Sequence, residues 1–243
     1  MKVLKVICLI FLSSISIQLY AQNVQIHYDV RHNIDPEQNK KNYPSLSFEY
    51  FKTIDSLGSF LFKIQSDLNG DNSNVGQTFI QLSQTLKFWQ PAIYLSLNYS
   101  GGLGIAPPSF GYYLTNAYGL GLSYPFQWKG AWFNMNLQYR YTAFKLPSHD
   151  VQLTLYVGKG FFNYKLFIAG SLVSWTENRD QGIEYTVGLD GKKIAFFGDP
   201  QVWFRVKNGL SVGSRVNLYY NLIEGKKGFK IYPTTGVQYK FQK

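Results

Sequence analysis

Chemistry that needs a nucleophile, a base or a metal has little to work with in this chain. It holds three histidines, His27, His32 and His149, and one cysteine, Cys8. Ser148-His149-Asp150 brings together the residue types of an acyl-transfer triad. A lipase or deacylase, however, needs the base within hydrogen-bond reach of the nucleophile. Neighbours in an extended chain point to opposite faces, so local adjacency does not make a triad. Three scattered histidines and no cysteine beyond Cys8 do not compose a zinc site. Asn69 to Asn74, NGDNSN, resembles part of a calcium loop but lacks the downstream Glu, and reads as a polar loop. GxGxxG and P-loop patterns are absent. No catalytic residue, metal or cofactor is assigned.

The residues that could recognise a solute lie elsewhere, at every second position of extended segments. In VQIHYDVRH, Val24, Ile26, Tyr28 and Val30 alternate with Gln25, His27, Asp29 and Arg31. A period of two is a β-strand with one apolar and one polar face. Further along, the polar parity collects Glu49, Asp67, Asp199, Lys63, Arg140, Arg205 and Arg215. It also collects the aromatics Phe51, Phe79, Tyr94 and Trp203, along with Tyr156, Phe167, Phe197 and Tyr219. Aromatic faces stack on heterocycles and sugars, while charges and amides bond hydroxyls and base edges. Glu49, Phe51, Lys63, Asp67, Phe79, Tyr94, Arg140, Asp199, Trp203, Arg205 and Arg215 are therefore the candidate substrate-binding residues. The competing role for the rings is to fill a narrow barrel.

What must position these residues is a set of about twelve strands. The pattern recurs in LSFEYFKTI, SFLFKIQSDL, QTFIQLSQTLKF, AIYLSLNYS, Tyr118 to Tyr124, WFNMNLQYRY, VQLTLYVG, NYKLFIAGSLV, IAFFGDPQVWFRV, LSVGSRVNLYY and TGVQYKF. Each is near the ~9–11 residues of a tilted membrane strand. Short connections at Ser56–Gly58, Trp89–Pro91, Gln127–Gly130, Gly158–Phe161 and Lys207–Gly209 alternate with longer ones, among them the stretch from Ser174 to Lys193. Short turns on one rim and long loops on the other are the habit of outer-membrane barrels. Trp89, Trp128, Tyr124 and Phe126 fall near short turns, where an aromatic girdle would meet the lipid interface.

Composition agrees. Aromatics make up 18% and charged residues 16%, against roughly 25% charged in soluble domains. After Ala21 there is no apolar run of the ~18 residues that would make a spanning helix. Lys2 and Lys5, an apolar run from Val6 to Ile17, and Ala21 ahead of Gln22 form a secretory signal peptide. The expected architecture is an all-β transmembrane antiparallel β-barrel. Residues 1–21 are the signal peptide and 22–243 the barrel domain. A soluble sandwich or lipocalin-like barrel is the competing architecture.

SFEYFK, IQSDLNGD, LKFWQ and FFGDPQVWF, with this layout, resemble the outer-membrane barrels related to Tsx, the nucleoside-specific channel. The resemblance spans nearly all of the mature chain. It implies a monomeric twelve-stranded barrel in the outer membrane of a Gram-negative bacterium, passing nucleosides or similar small polar solutes by facilitated diffusion. Ser174 to Lys193 is longer than the corresponding connection there. The formal charge is +10; without Lys2 and Lys5, 22 basic residues face 14 acidic ones, or +8. In an exported chain this basicity suits anionic lipid headgroups or anionic solutes rather than nucleic acid. Lys40, Lys41, Lys192, Lys193, Lys226 and Lys227 fall in long loops. Two other functions stay open: a non-conducting structural or interaction barrel, and a lipid-modifying enzyme. Intact-mass spectrometry of the exported protein is expected to give a mature N-terminus at Gln22; a retained leader would mean an anchored chain.

Overall fold

A computed structural model describes residues 22–54, 57–87, 89–90, 92–106, 110–143, 146–182, 184, 186–222 and 228–241. The signal peptide, Phe88, Pro91, Lys226 and Lys227 lie outside these. The strands are β1 (Gln22–Asp29), β2 (Tyr43–Ile54), β3 (Gly58–Asp67), β4 (Gln77–Leu86), β5 (Tyr94–Ala106), β6 (Phe110–Trp128), β7 (Ala131–Thr142), β8 (Ser148–Phe161), β9 (Leu166–Asn178), β10 (Lys192–Gly198), β11 (Gln201–Lys207), β12 (Leu210–Tyr220) and β13 (Phe229–Lys240). Every pairing is antiparallel, and β13 pairs with β1, so the sheet closes. A short helix, α1 (Arg31–Ile34), stands between β1 and β2.

Thirteen strands make twelve staves. β10 pairs with the far half of β9 and with the end of β12, while β11 pairs with the near half of β9 and the start of β12. The two share one stave. IAFFGDPQVWFRV, read as one strand, is thus interrupted at Asp199-Pro200. Proline has no N–H for a ladder, which favours a break at this point. Across the break, Asp199 N donates to Ser171 O at 3.0 Å, and Val216 N to Pro200 O at 2.9 Å. Gly170 takes φ +155° opposite the break, where a Cβ would lie 2.7 Å from Pro200 Cα.

Other boundaries also move. β8 runs through Phe161 and the turn is at 162–165, not Gly158–Phe161. Consequently Asn163, Tyr164 and Lys165 leave the strand. GGLGIAPPSFG, which the alternation leaves as a long loop, is mostly ladder, because β5 extends through Ala106 and β6 starts at Phe110. Asn208-Gly209 makes the two-residue hairpin its sequence signals, with Gly209 at φ +76°.

The inside and outside follow the parity. Ile26 is 56% exposed while His27 is 1%, and Leu137 is 55% exposed while Asn136 is 2%. The buried set is overwhelmingly Gln, Asn, Ser, Thr, Asp and Arg, and the exposed set is Leu, Ile, Val and aromatics. This is a barrel turned inside out relative to a soluble one: the apolar band faces lipid and the polar groups face the lumen. Trp128, Tyr124 and Phe126 do gather at the short-turn rim. Phe126 stacks on Phe133 at 5.0 Å, and the Lys129 ammonium lies 5.0 Å over Trp128. At the seam, Val237, Tyr239 and Phe241 face outward, and Phe241 N donates to Gln22 O at 3.1 Å.

Arginine at an outward mid-strand position should cost ~2–4 kcal/mol. Leu97→Arg is therefore expected to lose heat-modifiable migration on gels, while Asn98→Arg, facing the lumen, keeps it. The opposite pattern would reverse inside and outside.

Candidate functional site

Because strand parity turns each polar face inward, the lumen is where charged and aromatic side chains meet. Twelve staves with full-length side chains do not leave an open tube. Glu49, Lys63 and Gln81 stand side by side on β2, β3 and β4, each paired in register with the next. On the opposite wall Tyr156 pairs in register with Ser171, and Ser171 meets the β10–β11 break. Two contacts join the walls. The Gln81 amide donates to Tyr156 Oη at 2.9 Å across four staves. The Lys63 ammonium meets Asp199 Oδ2 at 2.6 Å across five. Asp199 is held there by its other oxygen, which accepts from Ser171 N at 2.8 Å and Ser171 Oγ at 2.7 Å. A third tie, Arg215 to Gln65 Oε1 at 2.8 Å, lies one step toward the long loops. Together these form a polar septum across the lumen.

On the long-loop side of the septum the interior is filled and largely bonded. Gln65 and Gln77 donate to the two oxygens of Asp67 at 2.9 and 2.6 Å. His27 is bonded on both ring nitrogens, to Thr234 and Gln25, and packs edgewise on Trp203 at 5.5 Å. Arg140 donates to Gln152 Oε1 at 2.6 Å and stacks on Trp175 at 4.8 Å. At the mouth Arg31 sits in α1, beyond the strand where simple alternation put it. Its guanidinium grips Asp29 at 2.8 and 3.1 Å and lies over Tyr43 and Tyr232 at 5.0 and 4.9 Å. Burial works against its charge, but the Asp29 hydrogen bond and the flanking Tyr219 and Tyr43 outweigh it and raise its pKa above the ordinary value.

On the short-turn side the lumen opens. A cavity of about 330 Å³ lies against the septum, with Glu49, Lys63, Asp199, Phe51, Trp132 and Trp203 among its walls. A second, of about 470 Å³, shares Phe167, Trp203, Gln238 and Lys240 with it and reaches the 162–165 turn. Phe51 and Trp132 meet edgewise at 6.4 Å from opposite walls, nearer the rim.

The expected site residues thus divide. Glu49, Phe51, Lys63, Asp199 and Trp203 converge on the first cavity. Arg205 lines the second, yet its guanidinium donates to the turn carbonyls of Asn163 and Tyr164. Asp67 and Arg215 belong to the filled half. Phe79 pairs in register with Gln65. Tyr94 lies under Lys87 at 5.5 Å, toward the short-turn rim. Arg140 is on the far wall near the long loops. Sequence reasoning passed over Gln81, Trp132, Asn136, Gln238 and Lys240. All five carry the inward parity, which was the signal available; nothing in the sequence told which inward residues share a level.

Ser148, His149 and Asp150 separate as alternation requires. Ser148 and Asp150 are buried and bonded to each other, and His149 bonds Tyr139 on the outer surface. In the NGDNSN segment Lys41 donates to Gly70 O at 2.5 Å. The connection expected from Ser174 to Lys193 is shorter, because β9 runs to Asn178 and β10 begins at Lys192; Lys192 meets Asp150 at 2.5 Å and Lys193 meets Glu177 at 3.0 Å.

Closed antiparallel staves, apolar outside and polar within, define the class: an outer-membrane β-barrel. The NanC porin superposes with a TM-score of 0.51 at 8% identity, over 91% of this chain and all of that one. LpxR from Salmonella typhimurium (TM-score 0.49, 10% identity, 91% and 100% covered) and the KdgM porin (0.47, 9%, 90% and 99%) are also similar. At these identities the likeness concerns fold alone. Comparison with curated proteins returned no match. The chain belongs to the family described as a domain of unknown function, DUF5020, whose model matches residues 21–241.

Removing one partner of a buried bonded group costs about 1–3 kcal/mol. Asp199→Ala strands the Lys63 ammonium and the Ser171 N–H together. It is expected to lower the unfolding free energy in detergent by that amount, and Lys63→Met/Asp199→Ala by less than the two single changes combined. Strict additivity in urea titrations would deny the pair.

Proposed function

We propose that this barrel is an outer-membrane channel for facilitated diffusion of nucleosides or similar small polar solutes. The observation that carries the reading is the cavity against the septum. Its volume of about 330 Å³ falls in the ~300–1,000 Å³ range of ligand pockets. Its walls combine five rings, Phe51, Trp132, Tyr156, Phe167 and Trp203, with amides and charges. That mixture offers stacking to a flat ring and hydrogen bonds to hydroxyls. The likeness of SFEYFK and FFGDPQVWF to the Tsx-related barrels favours nucleosides. In this reading the septum is the selectivity filter. Its ties are single hydrogen bonds and one ion pair, which a polar solute replaces as it passes. The outer rim lies among outer-membrane lipids, and export is through the Sec-type leader at 1–21. The barrel works as a monomer without a cofactor, and no residue is given a catalytic role.

A second reading, a non-conducting structural or interaction barrel, is favoured by one observation. Arg215, His27 and Tyr232 are each 1% exposed, so the long-loop half is packed. Liposomes and planar bilayers decide between the two. The channel admits uridine faster than a size-matched sugar, and Lys63→Ala/Gln81→Ala, which removes two ties, raises single-channel conductance. A barrel that gives no steps in either form is non-conducting.

A further inference from the structure

Near the ion pair in the septum stand two charges, Glu49 and Lys240, that form no ion pair of their own among the described residues. Lys63 is taken by Asp199. Glu49 accepts no hydrogen bond and joins no ion pair among the described residues, although it lines the cavity. Lys240 lines the same cavity; its ammonium lies 4.5 Å over the Phe167 ring and pairs with no carboxylate among the described residues. The two are not scattered. Asn23 on β1 pairs in register with Glu49 on one side and with Lys240 on the other. One anion and one cation therefore stand at the same level, two strand spacings or about 10 Å apart at the backbone. Both side chains project into the same space.

A second observation points to an occupant. Asn136 Oδ1 and Gln238 Oε1 are buried acceptors without a partner among the described residues, and both residues line this cavity. They are 2% and 3% exposed. Unpaired buried acceptors are costly and uncommon. With Glu49, the cavity presents an excess of acceptors on a floor of aromatic rings. What satisfies that surface carries N–H donors and a positive group at one end, a negative group at the other, and a ring or bulky apolar part between the walls.

We propose that the cavity is a subsite for zwitterionic solutes, free amino acids with an aromatic or bulky apolar side chain. Glu49 receives the ammonium, Lys240 the carboxylate, and Phe51, Trp132 and Phe167 take the side chain. This deepens the channel reading and rests on it for transport, but the subsite itself is an equilibrium property. A fixed anion and a fixed cation flanking one amide discriminate by charge pattern. A solute with only one charge leaves one of them unmatched, whereas the zwitterion matches both.

The test uses three probes built on one phenyl ring, phenylalanine, phenethylamine and 3-phenylpropionate, together with the larger uridine. Calorimetry on the purified barrel in detergent measures binding, and liposome uptake measures flux, with heat-modifiability confirming that each variant is folded. Phenylalanine is expected to bind about tenfold tighter than either singly charged probe. Glu49→Gln should weaken phenylalanine and phenethylamine about tenfold more than 3-phenylpropionate, and Lys240→Gln should weaken phenylalanine and 3-phenylpropionate about tenfold more than phenethylamine. Equal affinity for phenylalanine and the singly charged probes, or variants that weaken all probes alike, overturns the proposal. Uridine flux without any preference for phenylalanine sinks this inference and leaves the channel standing. Charge-patterned binding in detergent with no flux of any probe leaves the subsite and removes the channel.

Discussion

In the hydrocarbon of a membrane no water satisfies a backbone group, so a spanning sheet must bond every N–H and C=O within itself. The rest of this structure depends on how that rule is kept at the Asp199-Pro200 break. Pro44, Pro125 and Pro233 keep their places within β2, β6 and β13, whereas at Pro200, which likewise has no N–H to give, the strand gives way. The chain keeps the stave intact by splitting it into β10 and β11 and letting the Asp199 side chain take the Ser171 N–H. A backbone repair has thereby placed a carboxylate inside the barrel. An unpaired buried charge is costly, and Lys63 answers from the opposite wall. Lys63 is flanked in register by Glu49 and Gln81, so the level at which the ladder is repaired becomes the level at which the lumen is crossed.

The septum divides the interior into halves with different physics. Toward the long loops, side-chain amides and charges bond one another in chains, such as Arg215–Gln65–Asp67–Gln77. Such networks stiffen the wall and leave little for a solute to bond. Toward the short turns the lumen opens into cavities walled by aromatic rings, and Asn136 and Gln238 keep acceptors without a partner among the described residues. Tyr43 Oη and Arg215 Nε on the long-loop side also lack a partner among the described residues, so the halves differ in open space rather than in polarity. Affinity needs both room for a solute and groups whose hydrogen bonds are still to be made, and the short-turn side offers the two together.

Fold and facing direction were legible in the sequence because the strand period is two and a single polar face names the lumen. The parity of Gln25, His27 and Asp29 against Ile26 and Tyr28 survives in their burial. Boundaries were less legible. Phe162, Asn163 and Tyr164 carry positive φ in a turn, though none is the glycine that would announce one. The Asp199-Pro200 break was hidden by apolar residues on either side that continue the alternation. The site was legible only as a list of inward residues. Which of them share a level depends on register and on the slant of the staves, and those are set by turn lengths and by closure at the β13–β1 seam. Arg205 shows the limit: its parity is right, but the carbonyls of the 162–165 turn claim its guanidinium.

A septum of polar ties suits the proposed filter better than a constriction of apolar side chains would. An apolar plug excludes a polar solute by stripping its water and returning nothing. A Gln–Tyr bond or a Lys–Asp pair returns to the solute the kind of contact it gives up, since the partners released are themselves donors and acceptors. The net worth of one such exchange is small, about 0.5–1.5 kcal/mol for a neutral hydrogen bond. Neither state of the septum is then strongly favoured, provided that the solute carries the matching pattern of donors and acceptors. Selection arises from the mismatch. A solute that separates Lys63 from Asp199 without replacing either contact leaves two charges unpaired in a narrow lumen, and that penalty is far larger than the cost of the exchange.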